Sequence, residues 1–218
     1  LWTDSRYFEQ AERQLAGSGV TLMRLKVPHQ PEHLQWLAGN LKEGDTLAVD
    51  GNCLSLTAER QIQGALERCG ARLRPDLDLP GSIWTDRPAL PAEAVYEQPP
   101  EYAIRTCRQK LSALREAMSR TGASHHLSSA LDEIAWLTNL RGSDVECNPV
   151  FLSHLLVGPE RATLFVATDQ LSLELAAHLA DEGIDPADYE AVGRQPAALP
   201  DGAMTLPSPR QLGLASAP

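Results

Sequence analysis

The sequence predicts an α/β layer architecture in which helices cover sheets. Three observations carry that prediction. Helix-like and strand-like periodicities alternate along the chain. Residues suited to helix starts and stops (Asp, Pro and Gly) separate them. The alternation breaks once, at a proline-rich stretch, and then restarts. The 218 residues suit one large domain or two small ones, at about 100–200 residues per domain. A composition 43% hydrophobic and 22% charged is an ordinary globular balance.

The first half opens on Trp2-Thr3, the end of a strand, followed by Asp4 as N-cap of a helix from Ser5 to about Ala16. Tyr7, Phe8, Ala11 and Leu15 give that helix one apolar face, and Gly17-Ser18-Gly19 stops it. TLMRLKV (21–27) alternates as a strand does and ends at Pro28. A short helix runs over 31–41 with Pro31 in its first turn. TLAVD (46–50) reads as a buried strand, 54–69 as a longer helix closed by Gly70, and ARLRPD (71–76) as another short strand.

From 76 to 100 the chain changes character. Prolines at 80, 88, 91, 99 and 100, with Pro75 just before them, make a stiff extended connector. The tripeptide Trp-Thr-Asp occurs at 2–4 and again at 84–86, inside this connector. The copies are not a repeat. Asp4 leads into a helix, whereas Arg87 precedes Pro88 and is driven to extended geometry. Trp84 is expected to anchor the connector against one domain.

The second half restarts with a helix over 101–120, with Ile104, Cys107, Leu111, Leu114 and Met118 on one face and Gly122 after it. HHLSSA (125–130) reads as a strand and LDEIAWLTNL (131–140) as a helix. The polar loop RGSDVECNP (141–149) follows. VFLSHLLVG (150–158) and ATLFVAT (162–168) form an expected hairpin. Asp169 is placed to cap a helix over 170–182 stopped by Gly183, and YEAVG (189–193) reads as a last strand. Beyond Gln195 the tail is rich in Pro, Ala and Gly.

Charge and motif content exclude several functions. A net charge of -10 argues against nucleic-acid partners, which require clustered Lys and Arg. No apolar run approaches the ~20 residues that span a bilayer, and no signal peptide opens the chain, so a cytoplasmic setting is expected. The cysteines at 53, 69, 107 and 147 form no CxxC pair. HExxH, GxxxxGK[ST], GxSxG and GxGxxG are absent. His29 and His33 are separated by Pro31, and His125 and His126 point to opposite faces of a strand, so neither pair chelates. His154 and His178 have no partner in sequence, and no metal site is expected. Asp132 and Glu133 diverge by ~100° on a helix and suit its first turn rather than acid–base work.

The loop 141–149 concentrates a cation, two anions, a thiol and an amide after an apolar helix, the kind of place where binding residues gather. Spacing alone favours a self-satisfied turn, with Asp144 and Asn148 bonding to nearby backbone and Arg141 pairing with Asp144 or Glu146. Cys147 has no evident activating neighbour.

WTDSRYFEQA, IWTDRP and above all ALDEIAWLTNLRGSDVECNPVF resemble the non-catalytic N-terminal region of the three-domain Xaa-Pro aminopeptidases (aminopeptidase P, in the creatinase/prolidase superfamily). The resemblance runs the length of the chain in the same order; Cys147 departs from it. It implies two creatinase N-terminal-like domains, each a mixed sheet flanked by helices. On it, residues 1–78 are the latter part of an incomplete first domain. A connector follows over 79–100, and 101–218 is a second domain whose C-terminal end is incomplete. In that family a pita-bread catalytic domain follows, with two divalent ions, manganese or zinc, held by two Asp, one His and two Glu. It removes the N-terminal residue from peptides with proline in second position. The ligand set is absent here, so this segment is expected to carry no cofactor and to be inactive alone. Expected partners are its own catalytic domain, Xaa-Pro peptides and a second copy in a homodimer. Arg141, Asp144 and Asn148 become candidates for shaping the peptide entrance, and Pro149-Val150-Phe151 for packing the loop base. The alternatives are a stand-alone binding or scaffold module of the same fold, and a hydrolase using Cys147 with His154.

Overall fold

The computed structural model describes residues 1–26, 30–194 and 205–207. Strand β1 (Trp2–Thr3) gives way at Asp4, whose side chain accepts from Arg6 N and caps a 3-10 turn, Ser5–Tyr7, leading into α1 (Phe8–Leu15). The helix ends where Gly17 and Gly19 take positive φ. Next come β2 (Met23–Arg24), α2 (Glu32–Asn40), β3 (Thr46–Ala48), α3 (Leu56–Glu67) and β4 (Arg72–Arg74). β1 pairs with β2 and β3 with β4, both in parallel, as separate two-stranded ribbons. β2, β3 and β4 are each shorter than the alternating sequence predicts, and among the described residues each pairs with a single neighbour, which leaves little to extend against. Val27 and His29, which belong to the expected strand 21–27 and histidine pair, lie outside the described residues. Leu34, Ile62, Ala65, Leu66 and Ala71 form a small core between α2, α3 and the β3–β4 ribbon.

The connector is less featureless than its prolines suggest. Asp78 accepts from Gly81 N and caps a single helical turn, α4 (Leu79–Ile83), with Pro80 at its start. Residues 84–94 then run exposed. Trp84 does not anchor them: it is 50% exposed, with the Arg87 guanidinium 5.6 Å from its ring centre. The anchor is Val95, buried in the large core, with its N–H donating to Gln170 O at 2.9 Å. β5 (Tyr96–Glu97) follows.

α5 (Cys107–Thr121) starts six residues later than its periodicity predicts. Thr106 and Gln109 form a reciprocal capping box that fixes the start. Ile104, expected on the apolar face, precedes the helix and is 99% exposed. Then come β6 (His125–Ser128), α6 (Leu131–Thr138), β7 (Leu140–Arg141), β8 (Ser153–Val157), β9 (Ala162–Val166), α7 (Leu173–Asp181), β10 (Ile184–Asp188) and β11 (Thr205–Pro207). α7 is capped by Ser172, which accepts from Leu175 N, while Asp169 lies in a preceding 3-10 turn. The last expected strand, 189–193, is instead a 3-10 segment, Tyr189–Arg194. The strand lies just before it and carries Pro186, which an edge strand tolerates.

The five-stranded sheet has the order β10-β9-β8-β6-β11. β8–β9 is the expected antiparallel hairpin, β6 is antiparallel to β8, and the two outer pairings are parallel. Its inner strands are buried on both faces. Leu155, Val157, Leu164 and Val166 meet Leu111, Ile134, Leu175 and Leu179 in one core. Leu127, Leu156 and Phe165 point the other way, against Val192, Ala187 and Leu56. Leu56 opens α3, so the first half touches the back of this sheet.

Candidate functional site

The candidate loop departs from the end of α6. Asn139 adopts φ 59 and turns the chain out of the helix, and Leu140–Arg141 pairs antiparallel with Tyr96–Glu97 of the connector. A Cβ on Gly142 would meet Phe151 Cβ at 2.7 Å, so the loop's close approach to the buried Phe151 requires glycine. Val150 and Phe151 are buried and close the loop base, while Pro149 is exposed. The tip is a tight turn: Asn148 N donates to Val145 O at 3.1 Å and Cys147 takes φ 60.

The three candidate residues have different positions. Arg141 does not pair with Asp144 or Glu146. Its Nη1 donates to Ala135 O at 2.7 Å, a carbonyl of the last turn of α6, and to Leu140 O in β7 at 2.8 Å. Asp144 binds beyond its own turn. Its carboxylate accepts from Leu152 N at 2.7 Å, from Glu93 N at 3.0 Å, and from Gln170 Nε2 at 2.9 and 3.1 Å. Asn148 is exposed at the tip, and its side chain has no hydrogen-bond partner among the described residues. One loop therefore carries an exposed amide held out by an inner cation and an inner carboxylate.

Sequence reasoning missed the residues that hold this arrangement. Gln170 is 2% exposed and also donates Nε2 to Glu93 O at 2.9 Å, clamping the connector to the loop. Its Oε1 is buried without a partner among the described residues. Lys110 is 5% exposed and donates to Trp136 O and Asn139 Oδ1. A signal existed for Lys110, since it falls on the apolar stripe of Cys107, Leu111 and Leu114. None existed for Gln170, whose partners lie 26 and 77 residues away.

A concavity of about 600 Å³ lies where the two halves meet, with Asp50, Asp78, Arg87, Ser129, His154 and Tyr189 on its walls. Ser129 Oγ lies 2.6 Å from His154 Nδ1, and the His154 ring lies 5.2 Å from that of Tyr189. Burial pulls His154 below its ordinary value and pushes the Tyr189 phenol up, with the Glu190 charge adding to the latter. Cys147 is not among its lining residues, which leaves the Cys147–His154 hydrolase without support. Asp132 and Glu133 lie in the first turn of α6, where Glu133 accepts from Ser128 Oγ. His125 and His126 lie in β6, where Ser124 Oγ lies 3.0 Å from His125 Nδ1. His33 packs edge-on near Trp2, and His178 lies 3.4 Å from Glu97. Among the described residues, no three His, Cys, Asp or Glu side chains converge as a metal site. No helix there is long and apolar enough to cross a membrane.

A family model for the creatinase/prolidase N-terminal domain matches residues 86–216, more than half of the chain and all of the candidate loop. This chain belongs to the creatinase/prolidase N-terminal domain family. Members of known sequence similar to it include a probable Xaa-Pro aminopeptidase P from Talaromyces marneffei, 37% identical over 91% of this chain and 30% of the relative. Another is aminopeptidase P1 from Lotus japonicus, 36% identical over 91% of this chain and 30% of the relative. Among solved structures, an X-prolyl aminopeptidase from Caenorhabditis elegans superimposes with a TM-score of 0.86 at 27% identity. That match covers 99% of this chain and 36% of the enzyme, which is described as cytosolic with a di-nuclear active site. This creatinase-type chain thus spans about a third of the length of the relatives it matches. The mixed α/β fold expected of the family is the fold observed.

Proposed function

We propose that this chain is the non-catalytic N-terminal portion of a cytoplasmic, metal-dependent aminopeptidase that removes the N-terminal residue from peptides with proline in second position. The observation that carries this reading is the whole-chain superposition on about a third of an X-prolyl aminopeptidase. In this reading residues 1–78 are the latter part of a first creatinase-like domain and 79–100 the connector. Residues 101–218 belong to a second such domain. The residues described offer no converging donor set, so they do not fit the two manganese or zinc ions such an enzyme uses. The metals belong to a catalytic domain outside this segment, and no chemical step is assigned to the residues here.

Its contribution is access and assembly. Arg141 and Asp144 hold the loop, Asn148 presents an amide at its tip, and the loop faces the peptide entrance formed with the catalytic domain. The remaining surface supports contacts with that domain and with a second copy. A residue that only admits substrate changes KM and leaves kcat nearly unchanged.

The test has two arms. The isolated chain, given manganese or zinc, is expected to release no N-terminal residue from an Xaa-Pro peptide; turnover by it would sink the reading. In the intact enzyme, Asn148→Trp is expected to raise KM for long peptides several-fold, with kcat and the KM for an Xaa-Pro dipeptide nearly unchanged. Identical kinetics on long and short substrates would remove the access role.

A further inference from the structure

Lys110 sits in α5 on the buried side, only 5% exposed. A buried ammonium ordinarily meets a carboxylate or gives up its charge. Here its partners are neutral. Nζ donates to Trp136 O and to Asn139 Oδ1, and stands 4.6 Å from the centre of the Trp136 ring. Both acceptors belong to the last turn and cap of α6, where carbonyls lack helical partners and the dipole is negative. Arg141 reaches the same helix end from the loop side, through Ala135 O.

Asn139 is the junction of this arrangement. It holds the left-handed turn, donates Nδ2 to Arg105 O at 3.0 Å, and accepts from Gln98 N at 2.8 Å through its own carbonyl. Connector, α5 and α6 meet on this one residue, two positions before Arg141.

We propose that Lys110 is a positioning residue: acting through Asn139, it fixes the left-handed turn from which the Arg141–Val150 loop departs, and so sets where the loop tip lies. Burial pulls the ammonium below its usual value and the Arg141 guanidinium adds to the shift, so no counter-charge holds the cation there. An apolar side chain of similar length would fill the same volume without that solvation penalty. What the ammonium adds is direction, since its donors dictate where the two α6 acceptors sit. The clamp stands on these contacts alone; its consequence for peptide access rests on the function proposed above.

Hydrogen–deuterium exchange on the full 218-residue chain tests it, with Lys110→Met, Asn139→Gly and the double variant. Lys110→Met is expected to speed exchange of the amides at 139–150 about tenfold, while β8 and β9 amides change less than about twofold. The Tm is expected to stay within about 3 °C of wild type. Asn139→Gly keeps the left-handed backbone and removes the acceptor, so it should loosen the same amides. The double variant should then exchange no faster than the faster single one, because the two residues act in series. Unchanged loop exchange in Lys110→Met overturns the proposal. So does a parallel rise in loop and sheet, which would make Lys110 a core residue only, and so do additive effects in the double variant. Should Lys110→Met fail to fold, Lys110→Gln is judged by the same criteria. None of these readouts is activity, so they hold whether or not the aminopeptidase reading survives.

Discussion

Both carboxylate oxygens of Asp144 are occupied by donors from three separate segments: Glu93 in the connector, Leu152 before β8, and Gln170 before α7. Asp144→Ala would leave two backbone N–H groups and a buried amide without their acceptor. Hydrogen bonds to a charged group are worth about 1.5–3 kcal/mol each and do not add fully, so the loss should be about 2–4 kcal/mol. Urea unfolding measures it, and a loss below about 1 kcal/mol would mean water replaces the carboxylate. A second residue-scale contrast concerns the thiols. Burial, with the Glu182 charge behind it, raises Cys107 to about 11, whereas Cys147 is exposed on the loop. The thiolate is the reacting form. Iodoacetamide at pH 8 should therefore label Cys147 quickly and leave Cys107 unmodified until the chain unfolds. Mass spectrometry showing early labelling at Cys107 would mean that α5 opens locally.

At the scale of elements, β8 carries one polar ring, His154, among apolar neighbours, in contact with Ser129 and Tyr189 and near Glu190. Burial lowers its pKa, so the folded state disfavours the imidazolium. As pH falls through the ordinary histidine value of about 6.5, the unfolded chain takes up a proton that the folded chain resists. Stability contributed by this site is present above that value and lost as pH falls towards the lowered one. Against wild type, His154→Gln should therefore flatten the decline in unfolding free energy between about pH 7 and 5. Parallel curves would show that His154 is not the titrating group. Element boundaries were legible wherever a local cap decides them, as at Asp4, and illegible where a cap competes with periodicity. The helix predicted to start at 101 starts at Cys107, because Thr106 and Gln109 satisfy two of the free N–H groups there. Ser172 displaces Asp169 as the cap of α7 for the same reason.

For the whole molecule, the distribution of core decides which part is fragile. The large core joins α5, α6 and α7 to one face of the five-stranded sheet, while the first half has a small core of its own and two isolated ribbons. Between them residues 84–94 run exposed, with Trp84 on the surface. Brief chymotrypsin digestion of the native chain should cut first after Trp84 and leave the part from residue 85 onward resistant. A first cut after Tyr102, in the short turn before α5, would instead place the boundary inside the second half. Mass spectrometry of the fragments separates the two outcomes and tests the division at 78 and 100.

The sequence by itself determined the class of fold, much of the order of its elements and the hairpin 150–168. These depend on period, turn residues and proline, which act over a few neighbours. It also marked the loop at 141–149 as the place where polar chemistry gathers. Only the tertiary structure decided what that chemistry does within the chain. Arg141 turns back to the end of α6, Asp144 ties the loop to the connector and to Gln170, and Lys110 holds Asn139 from a different helix. Each contact joins residues distant in sequence or set by a turn's direction, and neither pattern nor spacing encodes where such partners meet. The exposure of Trp84 and Ile104 belongs to the same class, because whether an apolar side chain is buried depends on what the rest of the chain brings to it.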